Sequence, residues 1–322
     1  MNGNNMEKPT VISTFAGCGG SSLGYKMAGF KELLAIDFNK NSVDTFKLNF
    51  PNVEIWQKDI KEVSSKDILD FCKLKVGELD ILDGSPPCQG FSMVGKRKIT
   101  DLRNDLFLEF TRLINGLQPK VFIMENVPGQ IRGIMKGKYN EIREELGKLN
   151  YQIKVKLMNA KYYNVPQSRQ RIFYIGIRND LNKKPIFPVP NNIIISAGKS
   201  LKNCIANETP LLNDKYGKLW QQIRVGGNAG DILGVGQNSC VKLNPSKPSC
   251  TLPKMQTGRG FATICHWSER RALSINEAKK LCSFPDDFKM IGSYSEQWAR
   301  LGNSVMPNMM KAIAITIKEK IL

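Results

Sequence analysis

Between Val11 and Arg178, short apolar runs alternate with stretches of helical periodicity, and this alternation restricts the fold more than any other feature of the chain. The runs are Val11–Phe15 (VISTF), Glu32–Asp37 (ELLAID), Val53–Trp56 (VEIW), Leu79–Leu82 (LDIL), Val121–Met124 (VFIM) and Arg171–Arg178 (RIFYIGIR). Helical patterns follow the second run through Phe50 and recur near Asp105–Asn115 and Tyr139–Leu149. The alternation predicts an α/β fold with a parallel sheet and helices on both faces. In open sheets of this kind, ligands bind beyond the carboxyl ends of the strands. Residues that follow directly on a run are therefore the ones to inspect.

The first run leads into F-A-G-C-G-G-S-S-L-G, Phe15 to Gly24. Glycines at a strand-to-helix turn let a ligand approach the backbone and the amides of a helix N-terminus. A plain connecting turn would use glycine as well. Asp37 ends the second run, where a carboxylate can accept from ribose hydroxyls. Beside it, Phe38 can stack on a base or fill the core. Asp59 can accept from an adenine amino group or simply cap a helix. The ordered series is more specific than any member of it.

The fourth run ends in G-S-P-P-C-Q-G-F-S, Gly84 to Ser92. A cysteine held at a strand end by two prolines sits where chemistry would occur, and a deprotonated thiol is a strong nucleophile. The alternative is an inert buried thiol. E-N-V, Glu125 to Val127, follows the fifth run and puts a carboxyl at the same edge, able to donate to a ring nitrogen or to join an ion pair. In Q-S-R-Q-R, Gln167 to Arg171, the two arginines stand two apart and share a face if the segment is extended. They can grip a phosphate or a base carbonyl, or stay solvated.

Composition narrows the function classes. The formal net charge is +18, which favours a polyanionic partner. Between Leu181 and Cys265, eleven Lys or Arg stand against three Asp or Glu. The same stretch is rich in Asn, Gly and Pro, and reads as a separate small domain of short strands and loops. One histidine, His266, and eight scattered cysteines without a C-x-x-C pair give poor support for a metal centre or a disulfide framework. No apolar run is long enough to span a bilayer, and the polar start MNGNNMEKPT lacks the pattern of a secretory signal, so a cytoplasmic location is expected. Ser274 with Glu277 forms a capping-box pattern for a helix, and the final segment NMMKAIAITIKEKI reads as a helix that returns to the first domain.

In this order the motifs resemble those of the DNA cytosine-5 methyltransferase family over nearly the whole chain. FAGCGG is similar to its cofactor loop, SPPCQGFS to its nucleophile motif, ENV and QSRQR to its acid and arginine motifs, and LGNSV to its C-terminal motif. DLRNDL (Asp101–Leu106) and RALSINEAKKLCSFP (Arg271–Pro285) also match, and PSCTL (Pro248–Leu252) resembles the Thr-Leu element of the target recognition domain. Asp37 stands where many members have Glu. The resemblance implies a Rossmann-like S-adenosylmethionine-dependent methyltransferase sheet with a second, smaller target recognition domain. It divides the chain into a catalytic domain (1–180), a recognition domain (181–285) and a C-terminal segment (286–322) returning to the first.

It further implies a catalytic set of Cys88, Glu125, Arg169 and Arg171, with Arg169 on the base carbonyl or phosphate. S-adenosyl-L-methionine, leaving as S-adenosyl-L-homocysteine, would be held by Phe15, Ala16, Gly17, Gly19, Gly20, Ser22, Leu23, Asp37, Phe38, Asp59, Ile60, Pro86, Leu106, Asn303, Ser304 and Val305. Gln89, Ser92, Lys96, Arg97, Arg103, Thr251 and Leu252 would contact duplex DNA, and the loop from Gly90 to Arg103 would close over it. The expected protein is a monomer that flips a cytosine out of the duplex, with a cognate restriction endonuclease as a partner the family admits. The same chemistry on tRNA, and a DNA-binding regulator without catalysis, are the alternatives.

Overall fold

A computed structural model describes residues 7–87, 106–131, 136–207, 209–212, 214–234, 240–255, 257–258 and 261–322. The chain forms two compact units. The first holds residues up to Met158, Gln170–Val189 and Met310–Leu322; the second holds Asn159–Arg169 and Pro190–Met309. These units divide the chain differently from the composition change near residue 180. The QSR segment ahead of Gln170 and the stretch 286–309 both lie in the second unit.

The first unit is built on a seven-stranded sheet. Its elements are β1 (Thr10–Thr14), α1 (Gly20–Met27), β2 (Lys31–Asp37), α2 (Lys40–Asn49), β3 (Ile55–Gln57), α3 (Ser65–Cys72), β4 (Ile81–Gly84), α4 (Leu106–Leu117), β5 (Val121–Asn126), α5 (Lys136–Gly147), β6 (Tyr151–Asn159) and β7 (Gln170–Arg178). The strand order is β3-β2-β1-β4-β5-β7-β6. Strands β1 to β5 pair in parallel, as the alternation predicts. β7 does not: it runs antiparallel to β5, with Glu125 opposite Phe173 and Asn126 opposite Ile172.

Alternate residues of the central strands point to opposite faces. Ile12, Leu82, Phe122, Met124, Ile172 and Tyr174 fall on one face and bury against Ile68 of α3, Phe110 and Leu113 of α4, and Ile142 and Leu146 of α5. Ser13 and Asp83, paired in register, fall on the other face, with Ile123 beside them. From this side the buried Tyr25 of α1 reaches Asp83. The chain's last segment also belongs to this unit, where Lys183 Nζ donates to Ile321 O at 2.6 Å and Lys318 Nζ to Ala28 O at 3.4 Å.

The second unit has short elements: α6 (Ala197–Leu201), α7 (Asp214–Gln222), α8 (Ala229–Leu233), β8 (Val241–Lys242), β9 (Thr257–Gly258), β10 (Phe261–Ala262), β11 (Ile264–Cys265), α9 (Ile275–Leu281), α10 (Tyr294–Asn303) and the start of α11 (Pro307–Lys320). A small core gathers Leu212, Leu219, Ile223, Cys240, Cys265 and Ala272. The capping box at Ser274 and Glu277 forms, and Glu277 also binds Arg271 at 2.8 Å. None of the helices among the described residues is long and apolar enough to cross a membrane.

Candidate active site

Four strand ends of the first unit carry the motifs to one edge of the sheet. β1 ends in the turn Phe15–Gly19, β2 in Asp37, β4 in Gly84 and β5 in Asn126. At the turn, Phe15, Gly17 and Gly19 all have positive φ, at 53°, 56° and 94°. Gly19 has no room for a side chain, since a Cβ there would lie 2.4 Å from the Phe50 ring. Gly17 is the opposite case: among the described residues a Cβ would meet nothing within 4 Å, so the backbone borders space that they leave open. Its amide donates to Asp37 Oδ2 at 2.8 Å, and Asn39 N donates to Asp37 Oδ1 at 2.8 Å. Asp37 thus ties the turn to the end of β2, while burial pushes its carboxyl above the usual range.

Phe38 fills no core: it is 69% exposed beside Asp37. Asp59 is exposed and caps a short turn of helix, accepting from Lys61 N at 3.1 Å, while Ile60 is buried. Ala16 is half-buried and its amide donates to Ile36 O. Gly20, Ser22 and Leu23 are buried in the first turns of α1, and Ser22 Oγ donates to Glu32 Oε1 at 2.8 Å. Leu106 opens α4 and packs on the core.

A chemically distinct group lies at the ends of β4 and β5. Glu125 and Arg171 form an ion pair at 2.8 Å with only 10% and 12% of their side chains exposed. Burial lowers the Arg171 pKa and Glu125 raises it, burial being the larger effect. Next to Glu125, the buried Asn126 donates from Nδ2 to Pro86 O at 3.1 Å, which fixes the chain two residues before Cys88. Asn126 had no separate role in the reading of ENV; a buried amide at a strand end is the signal that could have assigned one. Cys88, Gln89, Ser92, Lys96, Arg97 and Arg103 lie outside the described residues.

In the second unit, Arg169 occupies a different environment from Arg171. It is 1% exposed, and its guanidinium donates to Leu252 O at 3.3 Å and Gly302 O at 2.8 Å. Gln167, fully buried, accepts from Leu252 N and donates to Leu281 O. Thr251 Oγ1 donates to Ser168 O at 2.9 Å. The QSR segment and the Thr-Leu element are therefore laced together, and the expected sharing of one face by Arg169 and Arg171 does not describe their contacts. Asn303 is exposed, Ser304 is half-buried and donates to Arg300 O at 2.7 Å, and Val305 is buried. Among the described residues, no group of His, Cys, Asp and Glu could hold a metal ion.

The profile of the C-5 cytosine-specific DNA methylases matches residues 9–319. The chain belongs to this family. Within it, the chain is 34% identical over 327 residues to the Type II methyltransferase M1.HphI of Haemophilus parahaemolyticus, covering 95% of this chain and 85% of that one. It is 30% identical to the Type II methyltransferase M.NgoFVII of Neisseria gonorrhoeae, over 96% of this chain and 86% of the other. A crystal structure described as a DNA modification methyltransferase encoded within an E. coli prophage superposes with a TM-score of 0.77 at 24% identity, covering 97% of this chain and 99% of that one. This C-5 cytosine-specific DNA methylase thus has the S-adenosylmethionine-dependent methyltransferase fold.

Proposed function

We infer that this DNA methylase transfers a methyl group to carbon 5 of a cytosine flipped out of a specific short duplex sequence, with Cys88 as the covalent nucleophile. One observation carries the reading: the buried Glu125–Arg171 pair stands at the strand edge where Asn126 holds Pro86. An acid and a cation are fixed beside the chain segment that bears the thiol.

The residues present fit S-adenosylmethionine. Gly17 borders open space, Asp37 retains acceptor capacity because each carboxylate oxygen takes two hydrogen bonds, and Phe38 offers an exposed ring. Asp37 would accept from the ribose, Phe38 would cover the adenine, and the turn Phe15–Gly19 would hold the amino-acid end. When bound, the cofactor supplies the methyl group from its sulfonium. Ala16, Gly20, Ser22, Leu23, Asp59, Ile60, Pro86, Leu106, Asn303, Ser304 and Val305 complete the proposed set.

Carbon 5 of cytosine is a weak nucleophile. Attack of the Cys88 thiolate on carbon 6 forms an S–C6 bond and moves electron density to carbon 5. The Glu125 carboxyl delivers a proton to ring N3 as charge develops there and takes it back when the ring is restored. Arg171 holds the Glu125 carboxyl in one orientation, and in this reading it, and not Arg169, meets the base carbonyl. After methyl transfer, the carbon-5 proton passes to solvent water, its bonding pair forms the C5–C6 double bond, and the S–C6 bond breaks to release the Cys88 thiolate. Arg169 supports the reaction indirectly by fixing the Thr-Leu element.

Gln89 and Ser92 flank the thiol and contact the flipped nucleotide in this reading, and Lys96, Arg97 and Arg103 grip DNA. Two relatives that bear the Type II name support a restriction-modification role, with a cognate endonuclease as partner. This reading takes the protein as a monomer that acts on DNA in the cytoplasm. Incubation with labelled S-adenosylmethionine and cytosine-unmethylated genomic DNA tests the reading. The expected result is 5-methylcytosine in one short motif, lost in Cys88→Ser. Label transfer to tRNA and not to DNA would overturn it.

A further inference from the structure

Asp83 is a buried acid in a place where an apolar residue would suffice. It is the third residue of a four-residue strand, 2% exposed, and it stands five positions before Cys88. A buried carboxyl is costly unless partners satisfy it. Among the described residues, its hydrogen-bond partners come from the elements that bracket the glycine turn. Tyr25 of α1, fully buried, donates from its hydroxyl to Asp83 Oδ1 at 3.1 Å, and Ser21 of α1 adds a second side-chain bond. The Asp83 carbonyl accepts from Thr14 Oγ1, at the end of β1, at 3.0 Å. The next residue, Gly84, is equally confined: a Cβ there would lie 2.7 Å from Thr14 Oγ1 and 2.5 Å from the Phe110 ring.

We propose that Tyr25 and Asp83 are a positioning pair that fixes the nucleophile segment in register with the methyl-donor turn. The pair acts from the side of the turn, as Asn126 acts on Pro86 from the side of the catalytic acid. The inference rests on the function proposed above. Stability alone does not account for the pair, because replacing both partners of a buried polar contact by apolar groups of similar shape is close to neutral or stabilising. What such a replacement loses is a directional contact, and a misplacement of about 1 Å can cost roughly a hundredfold in rate.

The test compares wild type with Tyr25→Phe, Asp83→Leu, the double variant Tyr25→Phe/Asp83→Leu, and Asp83→Asn as a conservative control. Four quantities are read: thermal midpoint, S-adenosylhomocysteine affinity by calorimetry without DNA, kcat and KM for methylation, and the alkylation rate of Cys88 by iodoacetamide followed by peptide mass spectrometry. The expected double variant is at least as stable as wild type, yet has a kcat lower by about tenfold or more and a changed Cys88 alkylation rate. Tyr25→Phe and Asp83→Leu should be non-additive with respect to their double variant, and Asp83→Asn, which can still accept from Tyr25, should retain the most activity. A double variant with wild-type kcat, ligand affinity and alkylation rate would overturn the proposal. So would losses that merely follow a falling thermal midpoint. If the double variant does not fold, Tyr25→Phe decides, since it removes one oxygen: unchanged kcat and alkylation overturn the proposal. A wild-type protein that binds S-adenosylhomocysteine but methylates no DNA would sink the functional reading alone, and the pair would still be judged by ligand affinity and alkylation.

Discussion

Arg171 Nε lies 2.8 Å from Glu125 Oε1 because β7 runs antiparallel to β5. The reversal brings the start of β7 to the edge where β5 ends. In a wholly parallel sheet, the first residues of β7 would lie at the opposite edge, about 20 Å away for strands of this length. The reversal of one strand is therefore what pairs the acid with its arginine.

Removing Arg171 leaves the Glu125 carboxylate buried without its partner, whereas a glutamine at position 125 still offers the Arg171 guanidinium an acceptor oxygen. Arg171→Ala should lose about 3 kcal/mol of stability and at least about a hundredfold in kcat. Glu125→Gln should keep DNA binding and most of the stability, but lose about a hundredfold to ten-thousandfold in kcat. Chemical denaturation and single-turnover kinetics separate the two. An Arg171→Ala protein with normal kcat would remove Arg171 from the reacting group.

Arg169 should behave as a structural residue. Its guanidinium serves two backbone carbonyls, Leu252 O and Gly302 O, and a lysine cannot span both with the same planar fork. Arg169→Lys is expected to cost about 2 kcal/mol and to weaken sequence-specific DNA binding more than affinity for S-adenosylhomocysteine. A variant that keeps its thermal midpoint but loses base contacts in a crosslinking assay would return Arg169 to the base.

Two glycines of the turn should respond differently. Gly19→Ala must push the Phe50 ring aside at a φ of 94°, and should cost about 2 kcal/mol or more. Gly17→Ala meets no atom of the described residues within 4 Å, so its expected stability cost is only about 1 kcal/mol of backbone strain. Its methyl group would occupy the open space assigned to the cofactor, so affinity for S-adenosylhomocysteine should fall by about tenfold or more. Calorimetry showing normal affinity in Gly17→Ala would move the cofactor away from this turn.

Phe38 gives the complementary case. At 69% exposure its removal should change stability by less than about 0.5 kcal/mol. If it stacks on adenine, Phe38→Ala should weaken ligand binding by roughly 1–3 kcal/mol. Unchanged affinity would leave the exposed ring without a role.

Burial raises the pKa of Asp83 to about 7 and, on the same face, that of Glu32 to about 7. Hydrogen bonds from Tyr25 and Ser21 oppose the shift of Asp83, and nearby Glu32 and Glu125 add to it. In the unfolded chain such carboxyls titrate near about 4. The folded protein therefore binds more protons between about pH 4 and pH 7, and stability declines as pH rises through that window. Asp83→Asn should flatten this decline in urea unfolding. An unchanged slope would assign it to other groups.

The parts of the site that were legible in the sequence are local ones. A glycine turn after a strand, an acid at the next strand end and the Pro-Pro-Cys segment each depend on a few neighbouring residues. Strand direction is not local: RIFYIGIR has the same period whether it runs with or against its neighbour, and nothing in it announces the reversal at β7. β6 was not among the expected strands, because YQIKVKLMN mixes half-buried and exposed positions at the sheet edge. The two arginines show a related limit. Period-two reasoning holds only inside a strand, and Arg169 lies just ahead of β7, where its side chain is free to turn toward Leu252 and Gly302. The Tyr25–Asp83 contact joins residues 58 apart and needs the fold to be seen.

The central claim is that Cys88 bonds to the target base. Duplex DNA carrying 5-fluorocytosine at the methylated position tests it most directly, because fluorine replaces the proton that must leave before the thiolate can be eliminated. With S-adenosylmethionine present, a denaturation-stable protein–DNA complex should accumulate, and peptide mass spectrometry should map the bond to Cys88. Methylation of normal DNA without a trapped complex, or a bond mapped to another residue, would contradict the account.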